Sequence, residues 1–244
     1  MKKSLVRTLA HVFVLAQLLV TLMLCSAAAR PYAGKTQDEA KPVVPSSPTA
    51  AQGQNGQLSP AESGVITGSV YQNDYFGLRL TIPAGWNIGG DAVKKKLTEG
   101  GKTSIVPKNE QDKTQIEAAV DRTINLLTIS KVPLGTPGQL NALFMTLAEP
   151  VPLSASGPSY IEKLKSVLQQ STVPITIVDD QQVETINGVQ FHTLTITIGA
   201  GESVTRQKYY VVIKKGYALG LITSIISDSD TEAMNGILKS VTVQ

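Results

Sequence analysis

An α+β fold, an antiparallel sheet flanked by helices on one or both faces, is predicted for residues 65–244 of this 244-residue chain. Three observations predict it. Leu78, Leu80 and Ile82 alternate with Arg79 and Thr81, the period of a half-buried strand. From Pro174 onward a period of two recurs, broken at Asn187-Gly188, at Gly199-Ala200-Gly201 and at Lys215-Gly216, as in a meander of antiparallel strands. Around 140–147, 161–168 and 234–241 the apolar residues follow a helical period instead. An antiparallel sheet this apolar needs covers, and these three amphipathic stretches supply them.

Ahead of the domain the chain carries the pattern of an export signal. Lys2, Lys3 and Arg7 precede an apolar run over 9–25, and Ser26-Ala27-Ala28-Ala29 offers small residues for cleavage. Residues 1–29 are therefore expected to be a signal peptide cut after Ala28 or Ala29. An uncleaved anchor and a lipid on Cys25 are the alternatives. The run is short for a membrane span, which needs ~20 apolar residues, and Leu22-Met23-Leu24 before Cys25 is a poor match to a lipidation site. Cys25 is the only cysteine, so cleavage leaves no disulfide and no thiol nucleophile. Residues 30–64, rich in Pro, Ala, Ser, Gln and Gly, are expected to be a disordered linker.

Charge argues against one class of partner. Lys2, Lys3 and Arg7 account for the whole formal charge of +3, because the remaining 19 basic residues face 19 acidic ones. A neutral surface lacks the basic excess that phosphate binding requires, so no nucleic-acid partner is expected. Lys94-Lys95-Lys96 reads as a solvated helix face or loop.

Within the domain, residues 71–86, YQNDYFGLRLTIPAGW, hold the only Trp and read as strand, turn and strand, closed by Pro83-Ala84-Gly85. A short helix is predicted from Asp91 to Glu99, capped by Asp91 and stopped by Gly100-Gly101. Residues 103–113 are polar and predicted to be a loop. Ile124, Leu126, Leu127, Ile129 and Val132 form a near-continuous apolar run over 121–132, as in a strand covered on both faces. Pro133 and the turn Gly135-Thr136-Pro137-Gly138 close it.

Leu140, Leu143, Phe144 and Leu147 stand at i, i+3, i+4 and i+7 and predict a helix ended by Pro150 and Pro152. Ser159, with Glu162 three residues on, predicts the cap of the next helix, with Ile161, Leu164 and Leu168 buried and Lys163 and Lys165 in water. Ile175 and Ile177 lead a strand into Asp179-Asp180, and Asn187-Gly188 predicts a tight hairpin. Leu194, Ile196 and Ile198 alternate with Thr193, Thr195 and Thr197, giving a core face and a hydroxyl face. Strands over 209–213 and 217–226 follow. A last helix, capped by Ser229 or Asp230, buries Met234, Ile237, Leu238 and Val241.

Chemistry is harder to find. His192 is the only His after the signal, shares a face with Leu194, Ile196 and Ile198, and reads as a core or edge histidine. One His and no Cys leave a zinc site dependent on carboxylates, and no G-x-S-x-G elbow occurs. Asp179, Asp180 and Glu184 read as a turn or bulge with solvated carboxylates, because adjacent strand residues face opposite ways. The Gly pairs lack the features of a phosphate loop. Tyr75, Phe76, Trp86, Tyr209, Tyr210 and Tyr217 read as core or cross-strand aromatics, with a ligand pocket as the alternative. No catalytic, cofactor-binding or metal-ligating residue is assigned, and no cofactor is expected.

Two stretches carry a resemblance. Tyr71, Asn73, Phe76-Gly77-Leu78, Ile82-Pro83 and Gly85-Trp86 resemble the opening signature of the PsbP-like superfamily. Its members include lumenal PsbP proteins of photosystem II, Ran-binding Mog proteins and bacterial envelope proteins. Residues 208–213 with 216–219, and the closing helix through 237–241, resemble the late elements of the same group. The resemblance covers roughly residues 70–244. It implies an α/β/α sandwich and a binding or assembly module rather than a reaction. The metal-binding histidines of plant members have no counterpart here.

The expectation is thus an exported, periplasmic or secreted, non-enzymatic envelope protein that binds a protein partner or stabilises an assembly. The Thr193/Thr195/Thr197 face is its candidate contact surface. The alternative is a small-molecule carrier or sensor with a pocket between sheet and helices. Carboxylate-based hydrolysis is a third and weaker reading. Contact with a membrane is expected only through the N-terminal anchor or a lipid on Cys25.

Overall fold

The structure is a computed structural model and describes residues 61–62, 64–136, 141–199 and 204–244. The signal peptide, Cys25, the linker up to residue 60, Leu140, Pro137-Gly138 and Ala200-Gly201 lie outside the described residues. The described chain folds in the order β1 (Gly64–Thr67), β2 (Val70–Asn73), β3 (Leu78–Thr81), β4 (Asn87–Ile88), α1 (Asp91–Thr103), α2 (Glu110–Arg122), β5 (Ile124–Ser130), β6 (Leu143–Pro150), α3 (Gly157–Leu168), β7 (Ile175–Ile186), β8 (Val189–Ile198), β9 (Thr205–Lys214), β10 (Tyr217–Ile225), α4 (Asp228–Ser240) and β11 (Thr242–Val243).

The architecture is α+β. A seven-stranded sheet runs β4-β5-β6-β10-β9-β8-β7, and a four-stranded sheet runs β1-β2-β3-β11, with antiparallel pairing throughout both. One face of the large sheet packs against α1, α2 and α3 through Leu97, Ile116, Val120, Ile161, Leu164 and Leu168. The other face packs against the small sheet and α4 through Phe76, Leu78, Leu80, Met234 and Ile237. The sandwich is therefore asymmetric, with three helices on one side and a helix sharing the other with a small sheet.

The opening stretch folds as its pattern predicts. Leu78 and Leu80 are buried and Arg79 and Thr81 exposed. Asn73 is fully buried and holds the β2–β3 turn. Its Nδ2 donates to Ala61 O at 2.9 Å, and its Oδ1 accepts from Phe76 N at 3.2 Å. Ala61 is buried too, so ordered packing begins a few residues before the predicted boundary at 65. Phe76 lies edge-on to Tyr75 and Tyr217, with ring centroids 4.9 and 5.4 Å away.

Several predicted elements are corrected. Residues 143–150 form strand β6, not a helix. Leu143, Met145 and Leu147 face the three-helix side while Phe144 and Ala148 face the small sheet. A strand apolar on both faces contains every spacing, including the helical one, so i, i+3, i+4 matches carry no weight there. α1 starts from Gly90 and runs through Gly100-Gly101 to Thr103. Two helical glycines cost about 1 kcal/mol each, and burial of Gly101 with the Lys102–Asp121 ion pair at 2.7 Å opposes that cost.

The predicted 103–113 loop gives way to α2, capped by Asn109, whose Oδ1 accepts from Asp112 N at 2.9 Å. α3 is capped by Ser156 rather than Ser159, in a reciprocal box between the two serines. α4 is capped by Ser227, with Asp230 at the third helical position. The Asn187-Gly188 hairpin does form, with φ of 45° and 85°. Asn187 Nδ2 also donates to Lys239 O and Val241 O at 2.9 and 2.6 Å, so the turn doubles as the cap of α4.

His192 lies on the α3 side of β8, as its alternation predicts, and Gly157 at the start of α3 sits directly on it. A Cβ at Gly157 would stand 1.8 Å from His192 Cδ2 and 2.6 Å from Cγ. The whole ring must turn to make room, so Gly157→Ala is expected to destabilise the fold by about 1–3 kcal/mol. Urea melts of Gly157→Ala, His192→Ala and the double variant would measure the coupling. Most of the Gly157→Ala loss should vanish once the ring is gone.

Candidate functional site

α4 lies against β3 and β10. The C-terminal end of α4 meets the β7–β8 hairpin through Asn187, Phe191 and Tyr210 are buried in the same cluster as Met234 and Ile237, and α3 packs on β7, β8 and β9 from behind. Between α4 and the strands β9 and β10 lies a cleft of about 360 Å³. β9 contributes Arg206, Lys208 and Tyr210, β10 contributes Thr223 and Ile225, and α4 contributes Thr231, Met234, Asn235 and Leu238.

Strand alternation places the cleft residues. Thr205, Gln207 and Tyr209 are buried, and Tyr209 donates to Gln207 Oε1 at 2.7 Å. Arg206, Lys208 and Tyr210 therefore share the opposite side. Lys208 pairs with Glu184 of β7 and lies over the Tyr210 ring, 5.3 Å from its centroid. Burial pushes the Tyr210 hydroxyl well above the usual phenol range. The Glu184 charge adds to the rise, and Arg206 opposes it. Arg206 itself is exposed and has no ion-pair partner among the described residues. Its planar fork of donors suits a carboxylate or phosphate from outside the chain.

The N-terminal end of α4 forms one wall and is fixed by Asp230, which is 4 % exposed. Its Oδ2 accepts from Ser227 N at 3.0 Å, Ser227 Oγ at 2.9 Å and Ile226 N at 3.2 Å. Its Oδ1 meets Lys131 Nζ at 2.9 Å. Burial pushes this carboxyl up, but the hydrogen bonds from Lys131, Ser227 and Ile226 together outweigh it and leave it below the usual range. Asp230 therefore stabilises the fold fully above the unfolded carboxyl range, and that contribution is lost as pH falls through its lowered value. Asp230→Asn is expected to cost about 1–2 kcal/mol at neutral pH, because Lys131 is half-exposed and screened. In melts followed against pH, the gap between the two proteins should close on the acid side.

The residues singled out by sequence are dispersed. Thr193 and Thr195, expected on a contact surface, are 2 % exposed. Their cross-strand partners on β9 are Tyr210 and Lys208, whose side chains are far longer than the threonine hydroxyls beside them. Asp180 and Glu184 stand on β7, where bulges at Ile177/Asp179 and Asp180/Gln182 break the register. They pair with Lys165 and Lys208, and Lys165 also reaches Glu162 at 3.1 Å, so it is less free in water than predicted. Tyr75, Phe76 and Tyr217 form one edge-to-face group, and Trp86 packs on the small-sheet core. Among the described residues no three His, Cys, Asp or Glu side chains converge on a point. Sequence reading missed Arg206 because it started the strand at Tyr209. The alternation Arg206, Lys208, Tyr210 was the available signal.

No family model and no curated protein matches this chain. Solved structures do. The solution structure of cyanobacterial PsbP (CyanoP) from Synechocystis sp. PCC 6803 is 12% identical, with a TM-score of 0.45 over 78% of this chain and 99% of that one. The crystal structure of LpqN, involved in cell envelope biogenesis of Mycobacterium tuberculosis, is 13% identical, with a TM-score of 0.40 over 68% and 83%. The α+β architecture itself rests on the strand order and layers described above.

Proposed function

We propose that this chain is an exported, non-enzymatic envelope protein whose domain binds a protein partner at the cleft between α4 and β9. The observation that carries the reading is the cleft between α4 and β9, with Arg206, exposed and without an ion-pair partner among the described residues, at the start of β9. A cleft that brings together the Tyr210 ring, the Arg206 guanidinium and apolar neighbours such as Val204 has the composition of interface cores, where Arg and Tyr are enriched. Arg206 calls for a carboxylate on the partner. A photo-crosslinking residue at position 206 of the full chain, expressed in its own cells, is expected to yield one discrete adduct. The same residue at Lys95, on exposed α1, is expected to yield none, and Arg206→Glu should abolish binding of the captured protein. Equal labelling at both positions, or none at 206, overturns the reading.

A second reading has its own observation. The cleft's 360 Å³ falls within the range occupied by small ligands. A carrier or sensor would place a small carboxylate or phosphate ester on Arg206 and its apolar part on Met234 and Leu238. A thermal shift in a metabolite screen, lost in Arg206→Ala, would favour it over the protein-binding reading.

A further inference from the structure

The opposite end of the large sheet from the cleft gathers a different surface. There β6 ends at Pro150, level with Tyr217 and Lys214 at the β9–β10 turn, and Val151 N donates to Gly216 O at 2.9 Å. The next turn is closed by Ala155 N to Pro152 O at 2.9 Å and carries Leu153 at its tip, 97 % exposed. Lys215 reaches across to Tyr75, donating to its backbone O and lying 5.0 Å from its ring centroid. Tyr75 and Tyr217, both half-exposed, meet edge to face at 5.9 Å. Lys239, at the end of α4 held by Asn187, adds a third exposed or half-exposed lysine to Lys214 and Lys215. Glu62 and Asp74 are the exposed acidic side chains on the same end.

The chain enters the domain at this end too. Gly64 pairs with Asn73, and Asn73 holds Ala61, beside the Tyr75 turn. Ala61 and β1, where the described chain begins, thus lie at the same end as Leu153 and the lysines. We infer that this end is a docking surface for an anionic lipid bilayer. Leu153 inserts at its centre, Tyr75 and Tyr217 lie at headgroup level, and Lys214, Lys215 and Lys239 meet the headgroup charge. Docked this way, the domain turns the Arg206 cleft away from the bilayer and toward the envelope space.

The test uses the full chain with Cys25→Ser, carrying a fluorophore on Leu153→Cys or, as a control, on Val106→Cys. Val106 is exposed beside the far end of α3. Each protein is mixed with vesicles of phosphatidylcholine and phosphatidylglycerol, or of phosphatidylcholine alone, and quenched with aqueous iodide. The label at 153 is expected to lose at least about half of its quenching on the anionic vesicles only, and the label at 106 to lose none. Lys214→Glu with Lys239→Glu, checked for folding by thermal melt, should restore quenching at 153. Equal quenching of 153 and 106 on anionic vesicles overturns the inference. So does equal protection of 153 on neutral vesicles, or protection that survives the two charge reversals.

Discussion

Phe76→Ala is expected to lower stability by about 3–5 kcal/mol, the largest loss foreseen for a single side chain here. Phe76 is fully buried in the layer between the small and large sheets, where Tyr75 and Tyr217 pack edge-on against it. Removing the ring takes away its own transfer free energy, two aromatic contacts and the filling of a site walled by two sheets, which cannot close together freely. Urea melts should show a lower midpoint with an unchanged slope. Phe76→Leu, which keeps most of the volume, should cost roughly 1–2 kcal/mol, so the difference between the two variants reports the cavity.

Gly77→Ala should follow, at about 3 kcal/mol. Gly77 has φ of 62°, which alone costs an L-residue about 1–2 kcal/mol. A Cβ there would also stand 2.5 Å from Gln244 O and 2.9 Å from Gln244 N, both backbone atoms held by the β11–β3 ladder. Something must move, and the bond from Gln244 N to Gly77 O, 3.2 Å long, is the first to go. Gly85→Ala is the matched control. Its φ is 78° with open space around the added methyl, so it should lose only the backbone cost. If the two variants melt together, the contact with Gln244 adds nothing.

Much of this fold is legible from period and turn chemistry, and the exceptions have physical causes. β8 was readable because it alternates, and β9 and β10 because residues suited to tight turns bound them. β6 was not, because burial on both faces erases alternation and lets Leu143, Phe144 and Leu147 mimic a helix. α2 was hidden by a thin stripe, with only Ile116, Ala119 and Val120 buried, and by polar residues that are its cap and solvent face. The caps of α3 and α4 lay two or three residues upstream because several serines and aspartates compete in each stretch, and only the geometry picks one. The candidate site was the least legible. Alternation assigned Thr193 and Thr195 to the correct side of β8, yet their exposure depends on Tyr210 and Lys208 in another strand, which no local pattern encodes.

The pairing of β3 with β11 has a temporal consequence. Thr81 N is bonded to Ser240 Oγ across 159 residues of sequence, and Leu78 is laddered to Val243. The small sheet, which shields Phe76, Leu78 and Leu80, therefore lacks the strand on its β3 edge until residues 242–243 have been synthesised. A nascent chain cannot lock this half of its core early, and closure between such distant segments is slow. Residues 242–243 thus act as a latch on a half-core laid down near the start of the domain.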